Sequence, residues 1–460
     1  MKTQLIKSII NAALFAFAPA WVLAVDYTGP QIVGSENLVL NPGDTIVVDS
    51  QNSEAYVLRS DGSGFSASSA LILNGGAGNP VELRYGSEEN RLAKSVVMLD
   101  IYGNGRMTMN DSNVSIKAYG ASDTQLTGVR FMNTSSSANF GTGRFDIYID
   151  GGSNSTGIYL EAGAATIGGT IAMTQGVGIN ATSSSKGDFV FEQLAIKAVR
   201  ADLVTHAVRH DSAYFIGVWD ANIDVTGNAI IGSGMGDTFM SGVIHSGDSA
   251  IKLIGPNVTN GSHKSVSFGN AVVSSGNGIL LEAGKNTSLS FSDDSVAIGR
   301  ILKDNGVSAN LILGQNSVWK STGSSDLDVL TIGKSRVEYE LGSLDDKMTI
   351  ASVLAQKSIP ENEFIVTLSD EFLASVEDGF ILNIDDHIIV TEGSVRENPY
   401  LNFSVSTSNS NGSTWDLENL GDGSYAIKNI NIVPEPAAYA ALFALFSLAF
   451  ASRRGRTLRK

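Results

Sequence analysis

Two heptapeptides nearly repeat, "GIYLEAG" at 157–163 and "GILLEAG" at 278–284. Looser copies are "TGVRFMN" (127–133), "VGINATS" (177–183), "SAIKLIG" (249–255) and "GRILKDN" (299–305). Each has a small residue followed by alternating apolar positions. Consecutive copies lie about 29, 21, 28 and 22 residues apart, a period that suits one coil of a parallel β-solenoid. Between 177 and 249 the copies are irregular, such as "LAIKAVRADL" and "GNAIIGSG". One coil cannot bury its inward side chains alone, so stacking has to close the core. Pairs such as Ile158 and Leu160, or Ile279 and Leu281, alternate with the strand period of two. Glycine and asparagine suit the corners.

The repeat predicts an all-β chain with a parallel β-helix over residues 25–330. At about 22 residues per coil this gives roughly 13 or 14 coils. A tandem of β-sandwiches would also show short strands and turns. No long helical pattern interrupts this stretch; the nearest, 188–210, also fits strands separated by Arg200-Ala201-Asp202. The chain has no cysteine, which removes thiolate chemistry, cysteine metal sites and disulfides. It has 49 glycines and 9 prolines among recurrent Val, Ile and Leu, a turn-rich β composition.

Both ends differ from this body. Residues 1–24 carry Lys2 and Lys7, an apolar stretch from Ile9 to Ala20, and Val22-Leu23-Ala24, the layout of a secretory signal peptide cleaved after Ala24. A retained membrane anchor is the alternative. At the other end, Val433-Pro434-Glu435-Pro436 precedes an uncharged run, Ala437 to Ser452, and a cluster of Arg453, Arg454 and Arg456. As a helix the run reaches about 24 Å, short of a bilayer core of about 30 Å unless the arginines snorkel. The positive cluster keeps that end cytoplasmic, so the body lies across the membrane, as the signal peptide also requires. A buried core helix is the alternative. Pro434 and Pro436 keep the preceding segment extended and accessible.

These residues resemble the PEP-CTERM sorting signal of Gram-negative bacteria. The resemblance spans about 28 residues, 433–460. It implies recognition of the motif by an exosortase, transient residence of the C-terminal helix in the inner membrane, and processing near Pro434–Pro436. The product would sit at the cell surface or outer membrane, or outside the cell. Without both ends the chain has 24 basic and 46 acidic residues, a net of −22 against −16 for the whole. That charge repels phosphate backbones and argues against nucleic acid as a partner.

Near residue 330 the sequence becomes more acidic and poorer in glycine. Phe364, Val366 and Leu368 alternate, as do Phe380, Leu382 and Ile384. Asp346, Met348 and Ile350, then Gly379, Phe380 and Leu382, resemble the C-terminal region of autotransporter-like passenger proteins that carry PEP-CTERM tails. The resemblance implies a C-terminal β cap over 331–432, which a solenoid needs to cover its edge. Residues 413–430 would form its final hairpin, turning at Gly421-Asp422-Gly423.

Candidate chemistry is sparse. The histidines are His206, His210, His245, His263 and His387. His206 and His210 stand four apart with Asp211 next, but Ala207 occupies the place where a helical zinc motif has glutamate. Asp220 and Asp224 have the spacing of one strand face, with Arg200 and Arg209 nearby in sequence; solvent-facing polar residues show the same spacing. "GSGMGDTF" (232–239) lacks the glycine spacing of a calcium nonapeptide and reads as a turn. "IGKS" (332–335) has Asp328 where a phosphate loop begins with glycine. Asp293-Asp294, Asp345-Asp346 and Asp385-Asp386 could bind calcium weakly. We assign no catalytic residue, no metal site and no cofactor. The expectation is an exported structural or adhesive surface protein contacting exopolysaccharide. The alternative is a polysaccharide-active β-helix lyase or hydrolase.

Overall fold

The computed structural model describes residues 24–33, 36–50, 54–62, 70–133, 138–181, 187–211, 215–232, 237–254, 264–356, 361–408 and 415–429. The expected signal peptide, apart from Ala24, and the whole sorting segment lie outside them, including Val433, Pro434, Glu435, Pro436, Arg453, Arg454 and Arg456. Ala24 is exposed, two residues before the first strand, Asp26–Thr28. No helix among the described residues is long and apolar enough to cross a membrane.

The chain divides into two compact units, residues 1–319 and 320–460. The first is a parallel β-helix. Its first sheet starts at Asp26–Thr28 and its second at Gln31–Val33, and the chain visits them in turn. In the second sheet one inward column runs Leu58, Leu99, Val129, Ile158, Ile179, Val208, Ile230, Ile251, Leu281 and Ile301, each paired in register with the next. All are at most 2% exposed, so each is worth about 1.5–3 kcal/mol of burial. The first sheet answers with Ile46, Leu83, Ile116, Ile147, Ile171, Ile196, Ile223, Ile244, Val273 and Ala297.

The small residue of the repeat has a steric origin. Except at Ile301, which Arg300 precedes, the residue before each aliphatic of the second-sheet column also points inward: Val57, Met98, Gly128, Gly157, Gly178, Ala207, Ala229, Ala250 and Leu280. A Cβ on Gly157 would lie 2.5 Å from Ile171 Cγ2 and 2.5 Å from the Gly178 carbonyl oxygen. Gly128 stands likewise against Ile147, and Gly178 against Ile196. Two consecutive inward residues mark a bend in the strand, with one column aimed at the opposite sheet.

Long strands of the first sheet carry bulges, for example between Ile167 and Gly169 or between Val218 and Ala221. There Asp111, Gln193, Asp220 and Asn270 adopt left-handed φ of 49–51°, the angle that lets the strand turn a corner. Eleven strands stack in the second sheet among the described residues, fewer than the coil count expected from a period of 22. The early coils are longer: Leu58 and Leu99 are stacked neighbours.

In the second unit parallel pairing continues in two sets of three strands. Ser325–Ile332 pairs with Met348–Ala355, which pairs with Ile388–Glu392. Arg336–Leu341 pairs with Glu363–Leu368, which pairs with Asn402–Thr407. Antiparallel pairing is found in a small sheet of Phe380–Asn383, Ser424–Asn429 and Trp415–Gly421. Its hairpin turns at the expected Gly421-Asp422-Gly423. One short helix, Asp370–Ser375, is capped by the Ser369 side chain, which accepts from the Phe372 N–H, and buries Phe372 and Leu373.

Candidate functional site

The outward residues of the second sheet form a column as regular as the inward one. It runs Arg59, Asp100, Arg130, Tyr159, Asn180, Arg209, Ile231, Lys252 and Glu282. Each sits between two inward positions of its strand. In the middle of the column lies a polar groove of about 730 Å³, whose walls include Arg130, Tyr159, Glu161, Asn180, His206 and Arg209. It crosses from the strand Leu126–Asn133 to the strand Ile230–Gly232, five strands, or about 19 Å at the usual interstrand spacing.

One end of the groove is held rigidly. Asp100 is fully buried and accepts from Arg59 Nε at 2.8 Å and from Arg130 Nε and Nη2 at 2.8 Å each. The Arg59 guanidinium also lies over the Tyr56 and Tyr102 rings, 4.8 and 4.4 Å from their centroids. This fixes Arg130 as a pre-oriented donor plane, since a bidentate guanidinium has little freedom left. At the far end Arg209 donates through Nε to Asp211 at 2.8 Å and keeps half of its side chain in solvent. Beyond it, Lys252 pairs with Glu282 at 2.6 Å.

Among the described residues, His206 is the one sequence candidate besides Arg209 that lines the groove. Its Nδ1 accepts the Asn228 backbone N–H at 2.9 Å, so the neutral ring carries its proton on Nε2. Burial pushes its pKa below the ordinary histidine value, with Arg209 and Lys252 adding to the effect and Asp248 opposing it. At neutral pH the ring is an uncharged donor.

His206 and His210 do not share a face. Ala207 and Val208 both point inward, which breaks the strand alternation. His210 therefore lies in an inward column between Ala181 and Gly232 and is 3% exposed. Asp220 and Asp224 belong to the other sheet, on Phe215–Val225, and both are exposed. Asp220 is the left-handed corner residue, and its N–H donates to Ser241 Oγ at 2.8 Å. Asp224 lies in register with Lys197 and His245. Arg200 stands 3.9 Å from Asp150, which is held by Arg91 and whose carboxyl is thereby kept below the usual carboxylate range. His245 meets Ser274 Oγ at 3.0 Å, and His387 donates through Nδ1 to the Asp346 carbonyl at 2.9 Å. His263 lies outside the described residues.

Two of the acidic pairs have local duties. The Asp346 carboxylate accepts the N–H groups of Gly342 and Ser343, at 3.0 and 2.9 Å. Asp385 pairs with Arg396 at 3.0 Å. Asp293 and Asp294 sit at a corner with left-handed φ. Among the described residues no cluster of three or more acidic or histidine side chains could hold a metal ion.

Arg130, Tyr159, Glu161 and Asn180 were not singled out by sequence reasoning. For three of them the signal was the repeat itself: Arg130, Tyr159 and Asn180, like Lys252, occupy one position of the quoted copies, between two inward apolar residues.

No protein-family model matches the chain, and no curated protein matches it. Among solved structures, the chain is similar to the autotransporter UpaB from E. coli strain CFT073. Identity is 14% over 89% of this chain and 96% of that chain, with a TM-score of 0.33. A superposition this loose has no bearing on function, and the fold stands on the pairing described above.

Proposed function

We propose that this is an exported surface or extracellular-matrix protein with a structural or adhesive role, and that its groove holds a polysaccharide chain. One observation carries the reading. A flat column of outward side chains opens into a groove about 19 Å long, room for several sugar units. The wall offers the Arg130 and Arg209 guanidiniums, the His206 Nε2–H, the Asn180 amide and the Glu161 carboxylate, donors and acceptors suited to hydroxyl and carboxylate groups. Binding of the host's exopolysaccharide to the purified exported protein tests it. Retention that falls in Arg209→Ala supports the groove. Retention unchanged in Arg209→Ala and Asn180→Ala together refutes it.

The proposed route is Sec-type export with cleavage after Ala24, then exosortase processing near Val433-Pro434-Glu435-Pro436, with Arg453, Arg454 and Arg456 holding the tail inside until then. Mass spectrometry of the native protein should find a start at Val25 and an end near Pro436. An intact tail in the wild-type host would sink this route.

Glu161 and His206 on one groove keep the enzyme reading as a second possibility. Release of new reducing ends or unsaturated sugars from a polysaccharide, abolished by Glu161→Gln, would move the chain to that class.

A further inference from the structure

The first sheet carries a separate feature on its outward side. Phe215 and Trp219 flank Gly217 on one strand, and Phe239 pairs with Gly217 from the next coil. Phe215 and Trp219 are 39% and 38% exposed. The Trp219 and Phe239 rings lie 4.4 Å apart, tilted by 32°. Two glycines seat these rings. A Cβ on Gly217 would stand 2.8 Å from Trp219 Nε1 and 3.3 Å from Phe215 Cε1. A Cβ on Gly269 would stand 2.9 Å from Phe239 Cζ. The rings therefore lie down on the sheet and present an aromatic surface rather than projecting as separate side chains.

We propose that this platform is a second glycan site, one that takes a neutral polysaccharide. An aromatic face has a negative quadrupole that attracts the polarised C–H groups on the flat side of a hexose. The border supplies the complement. Asp188 is in register with Phe215 and Glu192 with Trp219, Asp220 comes directly after Trp219, and Asp237 stands two residues before Phe239; all four are exposed. Carboxylates accept hydrogen bonds from sugar hydroxyls. They also repel a polyanion, and they repel the same acidic face of a second copy of this chain. An uncharged polyhydroxylated chain is the partner that this combination of rings and acids fits. The platform differs from the groove in sheet, in charge and in ligand class. It extends the glycan reading and can hold if the groove reading fails.

Affinity electrophoresis of the processed, exported protein tests it, with hydroxyethylcellulose, galactomannan or dextran in the gel and alginate as the anionic comparison. The wild type should be retarded by at least one neutral polymer. Trp219→Ala and Phe239→Ala should each weaken that retardation roughly tenfold in apparent Kd, the loss expected for one central aromatic anchor. Gly217→Val, whose methyls occupy the ring seat, should weaken it as well, while Arg209→Ala should leave it intact. Trp219 is the tryptophan exposed among the described residues, so its fluorescence should shift with the same polymer. Retardation by none of the three neutral polymers overturns the proposal. So does retardation that survives Trp219→Ala, that disappears in Arg209→Ala, or that occurs with alginate alone. Self-association at micromolar concentration that Trp219→Ala abolishes would assign the platform to a second copy and also overturn it.

Discussion

Gly157 is a residue whose role lies in the side chain it lacks. Its Cβ position is filled by Ile171 Cγ2 and by the Gly178 carbonyl, each 2.5 Å away. Gly157→Ala should cost about 1–3 kcal/mol through overpacking against a backbone that cannot yield. The shift in urea midpoint at constant m measures it. His206 makes a second prediction. Its depressed pKa means that the unfolded chain takes up the proton more readily than the folded one. The neutral ring thus contributes stability above the unfolded value of about 6.5, and this is lost as pH falls towards the lower folded value. His206→Gln should flatten that part of the profile, read as the difference between urea unfolding at pH 7.5 and at pH 5.5. At this scale the sequence was legible for composition and blind for placement. His206 and His210 looked equivalent at a spacing of four. Only the double inward step at Ala207 and Val208 sends one to the groove and the other to the core.

Between elements, the informative object is the ladder Arg59–Asp100–Arg130, which ties three successive strands of the second sheet. Asp100 is buried while both arginines keep about a quarter of their side chains in water or less. Asp100→Ala leaves the Arg130 guanidinium without its carboxylate and Arg59 with only Asp61 at 3.6 Å, and should cost about 2–3 kcal/mol, below the figure for a fully buried pair. Calorimetry of the variant checks this, and a change below about 0.5 kcal/mol would reduce the ladder to a surface ion pair. Strand pairing direction marks where reading from sequence stops. The alternation of Phe364, Val366 and Leu368 gives the buried face correctly, but a period of two is the same in parallel and antiparallel strands. The expected 331–432 cap therefore had its strands but not their parallel pairing, Glu363–Leu368 between Arg336–Leu341 and Asn402–Thr407. The one hairpin with a Gly-Asp-Gly turn could be read, because turn chemistry specifies antiparallel pairing.

For the molecule as a whole, charge is the property set most clearly by composition. The segment between the two ends carries a net of −22. Self-repulsion of that size opposes compaction and is screened by salt. The Tm of the processed protein should therefore rise by a few degrees between about 10 and 150 mM NaCl, as followed by circular dichroism, since the Debye length shortens from about 30 to about 8 Å over that range. A fall would mean that ion pairs such as Lys252–Glu282 outweigh the net charge. The repeat made the coil legible at this scale, because one heptapeptide pattern recurs wherever the second sheet recurs. The coil number was not, because corners absorb different lengths of chain while the columns stay in register.

A chain made of near-equivalent coils invites mis-stacking: a nascent coil could dock on the wrong neighbour, and Val, Ile and Leu would fill the aliphatic column almost as well. Val57 and Met98, then three glycines, three alanines and Leu280, are not interchangeable. A coil slipped by several places would set Leu280 where only hydrogen fits, or leave a void opposite a glycine. The series acts as a key cut along the length of the helix, and it penalises wrong alignments through overpacking and voids.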